Sequence, residues 1–401
     1  GMLSSLHGSA GAITALQNSV AHYYQRASSA DYLGVDPTRR SLTGTGGYVK
    51  VGRKGNAKWN FSETFTWSSP GFDLNDMGYM KETDYLMNET EIMYRQTDIW
   101  KIFRYNAFTL SQKNMWNYGG TPFSNNASLR WQSMTMNRYE WDVKETFAWN
   151  WLDSRLLRGG PDVRFGSYFL TSAKFNTDKA KRMMFMLKYE GDHNFEGNRF
   201  NTISPSLTFR LGNHVYLSGQ LDYAWNTDEM QYVATTSPLS SSSLAPYYYV
   251  MGHMDQKTYG LTLKLQVNVT PDISIQFYGA PFTSIAKYDD FKLAADTKSH
   301  TFENRFQRID PDQLTYADGV YTIGEGAGQM PFRNPDFRFN EFRSNLVARW
   351  EYLPGSTLYF VWEHRMSNRD NWYSSGWGSN LDRMWGLPAT NTFMIKMNYW
   401  F

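Results

Sequence analysis

The sequence predicts an all-β fold, an antiparallel β-barrel that spans a membrane. Three observations carry the prediction. Apolar and polar residues alternate with the two-residue period of a β-strand in many separate segments. Aromatics make up 17% of the chain, yet its mean hydropathy is −0.57. And no apolar run reaches the roughly eighteen residues of a spanning helix. A polar, aromatic-rich chain suits a wall with lipid on one side and water on the other. Without a spanning helix, a closed barrel is the remaining way across a bilayer.

The remaining composition narrows the class. Net charge is +2, from 40 basic and 38 acidic residues. So even a balance points to no nucleic-acid partner. The absence of cysteine excludes disulfides and thiolate metal sites. The opening residues, Gly1-Met2-Leu3-Ser4-Ser5-Leu6, lack the basic and long apolar regions of a signal peptide. The chain is therefore expected to begin partway into a longer protein.

In chain order, a short strand is expected at Met2 to Leu6, then a loop over 9–44 whose residues Ile13 to Tyr24 can form a helical turn. Trp59, Phe61, Phe65 and Trp67 then alternate with Asn60, Ser62, Thr64 and Thr66. Trp141, Val143, Phe147, Trp149 and Trp151 alternate with Glu140, Asp142, Lys144, Thr146 and Asn150. Similar stripes follow at 183–189 and 215–225. The longest runs from Tyr259 through Leu261, Leu263, Leu265 and Val267 to Val269, against Gly260, Thr262, Lys264, Gln266 and Asn268. Another lies at 342–352, and the last joins Phe393, Ile395, Met397, Tyr399 and Phe401. Segments 86–97 and 126–137 alternate poorly. The count is about sixteen strands, an even number as in other such barrels.

Connections alternate in length. Short turns fall at 55–56, 177–181, 212–213, 270–272 and 354–356; long loops at 9–44, 71–84, 227–250, 287–338 and 368–390. Short turns on the periplasmic side and long loops outside is the outer-membrane arrangement. Phe401, ending an amphipathic strand, is the expected signal for the outer-membrane assembly machinery.

Several stretches resemble a known family: His22-Tyr23-Tyr24-Gln25-Arg26, Trp67 to Gly78, Arg158-Gly159-Gly160-Pro161, Gln276 to Phe282 and Phe342 to Tyr352. Together they resemble the C-terminal barrel of domain-of-unknown-function family 5916, large outer-membrane proteins of Bacteroidota-type bacteria. The resemblance covers nearly the whole chain. It implies a preceding carbohydrate-binding, family-nine-like domain, and further strands of a wider barrel. It supplies no catalytic residues.

Site by site, the structural reading wins most often. The seven histidines show no metal spacing. Neither a nucleophile elbow nor a phosphate loop is present, so no enzyme and no cofactor is expected. Asp310, Asp312 and Asp318 fail the calcium-loop pattern. Asp73-Leu74-Asn75-Asp76 reads as a turn network. Arg26, Arg39 and Arg40 read as loop-ordering partners of Asp31 and Asp36. Lumen-facing candidates are Lys58, Lys144, Lys188, Lys264, Arg343, Arg349, Glu351 and Lys396, a mixed lining without strong ion selectivity. Glu63 and Glu145 interrupt apolar stripes; they read first as a bulge or an interfacial position, and alternatively as a wall facing protein rather than lipid.

The expected partners are the lipid bilayer and lipopolysaccharide, the assembly machinery, and other outer-membrane or periplasmic proteins. The expected role is a passive or gated conduit for polar or carbohydrate-related solutes. The rival is a plugged barrel acting as a membrane anchor or scaffold. Residues 1–401 are expected to form a single domain.

Overall fold

The structure, a computed structural model, describes every residue except 27–30, 76–77, 213, 240–246, 371–376 and 401. The chain runs β1 (Met2–His7), α1 (Ala10–Gln17), β2 (Ser41–Arg53), β3 (Trp59–Ser68), β4 (Tyr85–Gln96), β5 (Phe103–Trp116), β6 (Pro122–Thr135) and β7 (Glu140–Trp149). It continues with β8 (Trp151–Asp153), β9 (Val163–Phe165), β10 (Tyr168–Asn176), β11 (Met183–Asn194), β12 (Arg199–Leu211), β13 (Val215–Thr236), β14 (Tyr248–Asn268) and β15 (Ile273–Ala294). Then come β16 (Phe306–Arg308), β17 (Leu314–Ala317), β18 (Val320–Ile323), β19 (Met330–Arg333), β20 (Phe337–Leu353), β21 (Ser356–Asp370), α2 (Trp377–Trp385) and β22 (Thr390–Asn398).

Seventeen strands form one sheet. Setting aside β16, which adds three residues to the end of β15, sixteen strands follow one another as an antiparallel meander. The meander passes from β7 to β10 and from β15 to β20. β8 and β9 pair apart from it, and β17 to β19 form a small sheet of their own. Among the described residues nothing pairs with the second edge of β1 or β22, so this sheet is open. The expected closure is not seen in it.

The alternation sorts side chains onto two faces, and their exposure inverts the soluble rule. On β3, Phe61 is 55% exposed while Ser62 is 4% exposed. On β6, Leu129 is 56% exposed and Ser128 is 5% exposed. Cross-strand pairing carries this around the sheet. One register row on the apolar face joins Phe61, Ile92, Leu110, Leu129 and Glu145. A row on the polar face joins Asn60, Met93, Thr109, Arg130 and Lys144. A soluble sheet buries its apolar face; this one leaves that face bare.

Two departures from the sequence reading have clear causes. Segments 86–97 and 126–137 are full-length strands, β4 and β6, despite weak alternation. Their apolar face carries Asn88, Thr90 and Asn125 beside Ile92 and Leu129, in register with Asn114 and Gln112 of β5. Backbone pairing on both edges holds them without a side-chain stripe. The expected loops at 227–250 and 287–338 are shorter, because β13 runs to Thr236, β14 starts at Tyr248 and β15 reaches Ala294. Those extensions lose alternation where the loops pack onto them.

Glycine is demanded at two places. A Cβ on Gly44 of β2 would lie 2.1 Å from the Phe72 nitrogen, so the 69–84 loop can lie directly on the strand. Gly355, at φ +80°, turns β20 into β21 while its N–H donates to Glu351 Oε1 at 3.1 Å.

Candidate functional site

The candidate site is the polar face together with the loops that cover one of its ends. The loop ends of the strands lie opposite the short turns, and three ties gather the long loops there.

The first tie is Asp84. It accepts from the Arg26 guanidinium, from the Tyr32 hydroxyl at 2.6 Å and from the Tyr118 backbone at 3.1 Å. Asp84 and Arg26 are buried, so removing either would strand a charge. Arg26 therefore binds Asp84 rather than the expected Asp31 or Asp36. Burial, then the bond to Asp84, pushes the Tyr32 hydroxyl well above its ordinary range. Burial likewise pushes Tyr24 up to about 12.

His22 makes the second tie. Its ring lies 2.9 Å from both the Pro70 carbonyl and the Asp73 carboxylate. Asp73 Oδ1 also accepts from the Asn75 N–H at 2.8 Å, the expected turn network; Asp76 lies outside the described residues. Nearby, Gln17 of α1 clamps Asp36, donating to its carbonyl at 2.9 Å and accepting from its N–H at 2.8 Å. Thr38, donating from its hydroxyl and its backbone, holds the Asp36 carboxyl below its usual range. Arg39 stands 4.0 Å from Asp36.

Arg305, fully buried, is the third. It grips Glu196 with two nitrogens, at 3.0 and 2.8 Å, and donates to the Arg164 and Ser299 carbonyls. Thr297 donates to the Asp162 carbonyl at 2.7 Å. Segment 295–308 is thereby fixed to the β11–β12 turn and to β9. The β17–β19 sheet lays Ile323 and Phe332 against Val250, Met254, Tyr288 and Phe291 of the extended strands. These contacts form an ordinary dry core at the loop end.

Two cavities flank Trp151 beneath this cover. One, about 370 Å³, is lined by Trp151, Phe165, Tyr168, Phe200, Asp192 and Asp228 among others. The second, about 440 Å³, is polar and includes Arg26, Asp84, Asp153 and the Arg155–Glu82 ion pair at 3.2 Å. The alternation puts Trp151 at the end of the 141–151 apolar stripe, but the structure places it in β8, apart from the main sheet and against these cavities; Asp84, Asp192, Asp228 and Arg305 carry no mark in the sequence. Their partners lie far away in the chain, and no local spacing marks them.

The lumen-facing candidates are spread over the polar face and the turns. Lys58 sits in the β2–β3 turn, 2.9 Å from Asp98 in the β4–β5 turn. Lys144 neighbours Arg130, which is bound to Asp142. Lys188 pairs with Glu190 at 2.7 Å. Arg343 and Arg365 share Glu341, at 2.9 and 3.0 Å, and Arg349 reaches Glu351 at 2.5 Å. Lys264 lines a further cavity of about 450 Å³ with Tyr216, Gln266 and Asn345. Lys396 lies on exposed β22, opposite Tyr359. On the other face, Glu63 accepts from Thr90 at 2.6 Å and Glu145 from Thr171 at 2.7 Å, so each carboxylate has a cross-strand donor. Phe401 lies outside the described residues. Among the described residues no group of three or more His, Cys, Asp or Glu side chains is placed to hold a metal ion.

A family model matches residues 8–401, and the chain belongs to that family, the domain of unknown function DUF5916. Among curated proteins none matches the chain.

Proposed function

We propose that this chain forms the wall of an outer-membrane β-barrel that passes polar solutes along its polar face. The inverted exposure of the two faces carries the reading. Leaving Phe61, Leu110 and Leu129 bare to water is unfavourable by about 25 cal/mol per Å² of apolar surface, a cost that lipid removes. The polar face then lines a lumen of mixed charge, in which Lys58, Lys188, Arg343 and Arg349 have acidic partners, as suits a mixed solute stream. The open edges at β1 and β22 call for closure by pairing in the membrane, because unpaired strand edges are costly in hydrocarbon.

A second reading is a plugged anchor, favoured by the cover itself. The ties at Asp84, His22 and Arg305 hold loops across the loop end of the sheet. The test is purification of the full-length protein and reconstitution into vesicles and planar bilayers. Resistance to alkaline extraction with stable conductance steps supports the conduit. Stable insertion without conductance favours the anchor. Release into the aqueous phase on alkaline extraction overturns both.

A further inference from the structure

We propose that the cavity beside Trp151 binds an organic ammonium group, such as an alkylammonium or quaternary ammonium head. The inference goes beyond the conduit reading, because the cavity lies between β8 and the ends of β10 to β13 beneath the loop cover and needs no open lumen.

The lining joins aromatic faces to carboxylates. Trp151 stands 5.2 Å from the Tyr168 ring and 6.2 Å from the Phe165 ring, both steeply inclined. Rings inclined to one another bound a corner in which a cation meets more than one π-face, and Trp is the strongest such partner. Asp192 and Asp228 line the same cavity, and neither forms an ion pair among the described residues. Asp228 lies past the last β12–β13 pair, at the loop end of β13, where it pairs only with Met254 of β14. Its Oδ1 accepts the Met230 N–H at 2.9 Å, and burial pushes its carboxyl above the usual range. A partly buried carboxylate with no cation in direct contact is unfavourable, and a bound cation reduces that penalty.

Two basic groups stand nearby. Arg199 also lines the cavity, but it is exposed and shares its register row with His193 and Thr227, whereas Asp192, Phe200 and Asn226 share the adjacent row, whose side chains leave the opposite face of the sheet. Lys292, which also acts on Asp228, lies within 5.7 Å of the Phe302 and Phe306 rings and 3.4 Å from Asp290. The cavity is also built rather than incidental. Asn194 accepts from the Glu196 and Asn198 backbones, Asn198 accepts from Glu229, and Arg305 fixes the turn through Glu196. Its volume suits a small head group.

The test is calorimetric titration of the full chain, held in a neutral polyoxyethylene detergent, with choline, with its uncharged isostere 3,3-dimethylbutan-1-ol, and with glucose. Choline should bind at least about tenfold more tightly than the isostere. Asp228→Asn keeps the Met230 bond and should cost choline about tenfold, as should Trp151→Ala. Trp151→Phe, which retains a ring, should recover part of that loss. Equal binding of the isostere, preference for glucose, or no effect of Asp228→Asn and Asp192→Asn would overturn the proposal. Membrane insertion, measured on the same preparation, keeps this outcome separate from the conduit reading.

Discussion

The wall over β3 to β7 and the loop end over β13 to β15 follow opposite rules of burial. On the wall, Phe61, Leu110 and Leu129 are exposed while Ser62 and Ser128 are shielded. At the loop end, Val250, Met251, Met254 and Ile285 are buried, packed as in a water-soluble domain. One polypeptide thus solves two solvation problems within the length of a strand. On the proposed outer-membrane reading, the boundary between them is where the surrounding medium would change from lipid to water.

The strongest way to break this contrast is at the cover. Arg305→Ala removes a fully buried guanidinium from the partly buried Glu196 and from the Arg164 and Ser299 carbonyls, and should destabilise the cover by about 3 kcal/mol. Proteolysis should then cut within 295–336 while the wall keeps its folded electrophoretic mobility. Loss of both together would mean that the two regions are one cooperative unit.

Phe332→Ala against Phe61→Ala sharpens the contrast. In the dry core, Phe332→Ala opens a cavity and should cost about 3–5 kcal/mol. On the proposed reading lipid would refill the space at Phe61, and roughly half that loss is then expected there in bilayers. Denaturant titration of both variants in vesicles gives the ratio, and a neutral Phe61→Ala would argue for water on that face.

Leu129→Arg should cost about 2–4 kcal/mol in a bilayer if this row lies near the midplane. The same variant should be nearly silent if the row meets water.

The smallest effect is on pH. Burial raises the Asp336 carboxyl in the loop before β20, although the Tyr288 N–H donates to it at 2.7 Å. A group whose pKa is raised on folding favours the folded state most when protonated. Its contribution is full below the unfolded carboxyl value and is lost as pH rises through the raised one. Cover stability should therefore fall across that window, and Asp336→Asn should flatten the fall in melting profiles.

The sequence was most informative where a side chain's environment depends on its own strand. The stripe that starts at Tyr259 lies along β14 as far as its end at Asn268, the 59–67 stripe lies on β3, and the 141–151 stripe lies on β7 except for Trp151, which belongs to β8. Legibility faded where environment comes from elsewhere. Residues 248–257 lose alternation because the β17–β19 sheet packs against them. β4 and β6 hide because Asn88, Thr90 and Asn125 occupy apolar-face positions. Of the candidate site, the His22 stretch and Asp73 were noticed but not joined, since 51 positions separate them. The Trp151 cavity was invisible, its walls coming from five separate segments.

The cover has a consequence for how the molecule assembles. Each wall strand pairs with the one before it, so the meander can zip from local contacts. The bonds from Thr297 to Asp162 and from Arg305 to Arg164 join residues 135 and 141 positions apart. Those partners meet only after β10 to β15 have taken their registers, because loop closure over a slack chain is entropically costly. The latch therefore reports on the completeness of the strands between its ends. Excising the β11–β12 hairpin should leave residues 295–308 as exchangeable in deuterium labelling as an unfolded segment; retained protection there would show that the latch closes without the wall.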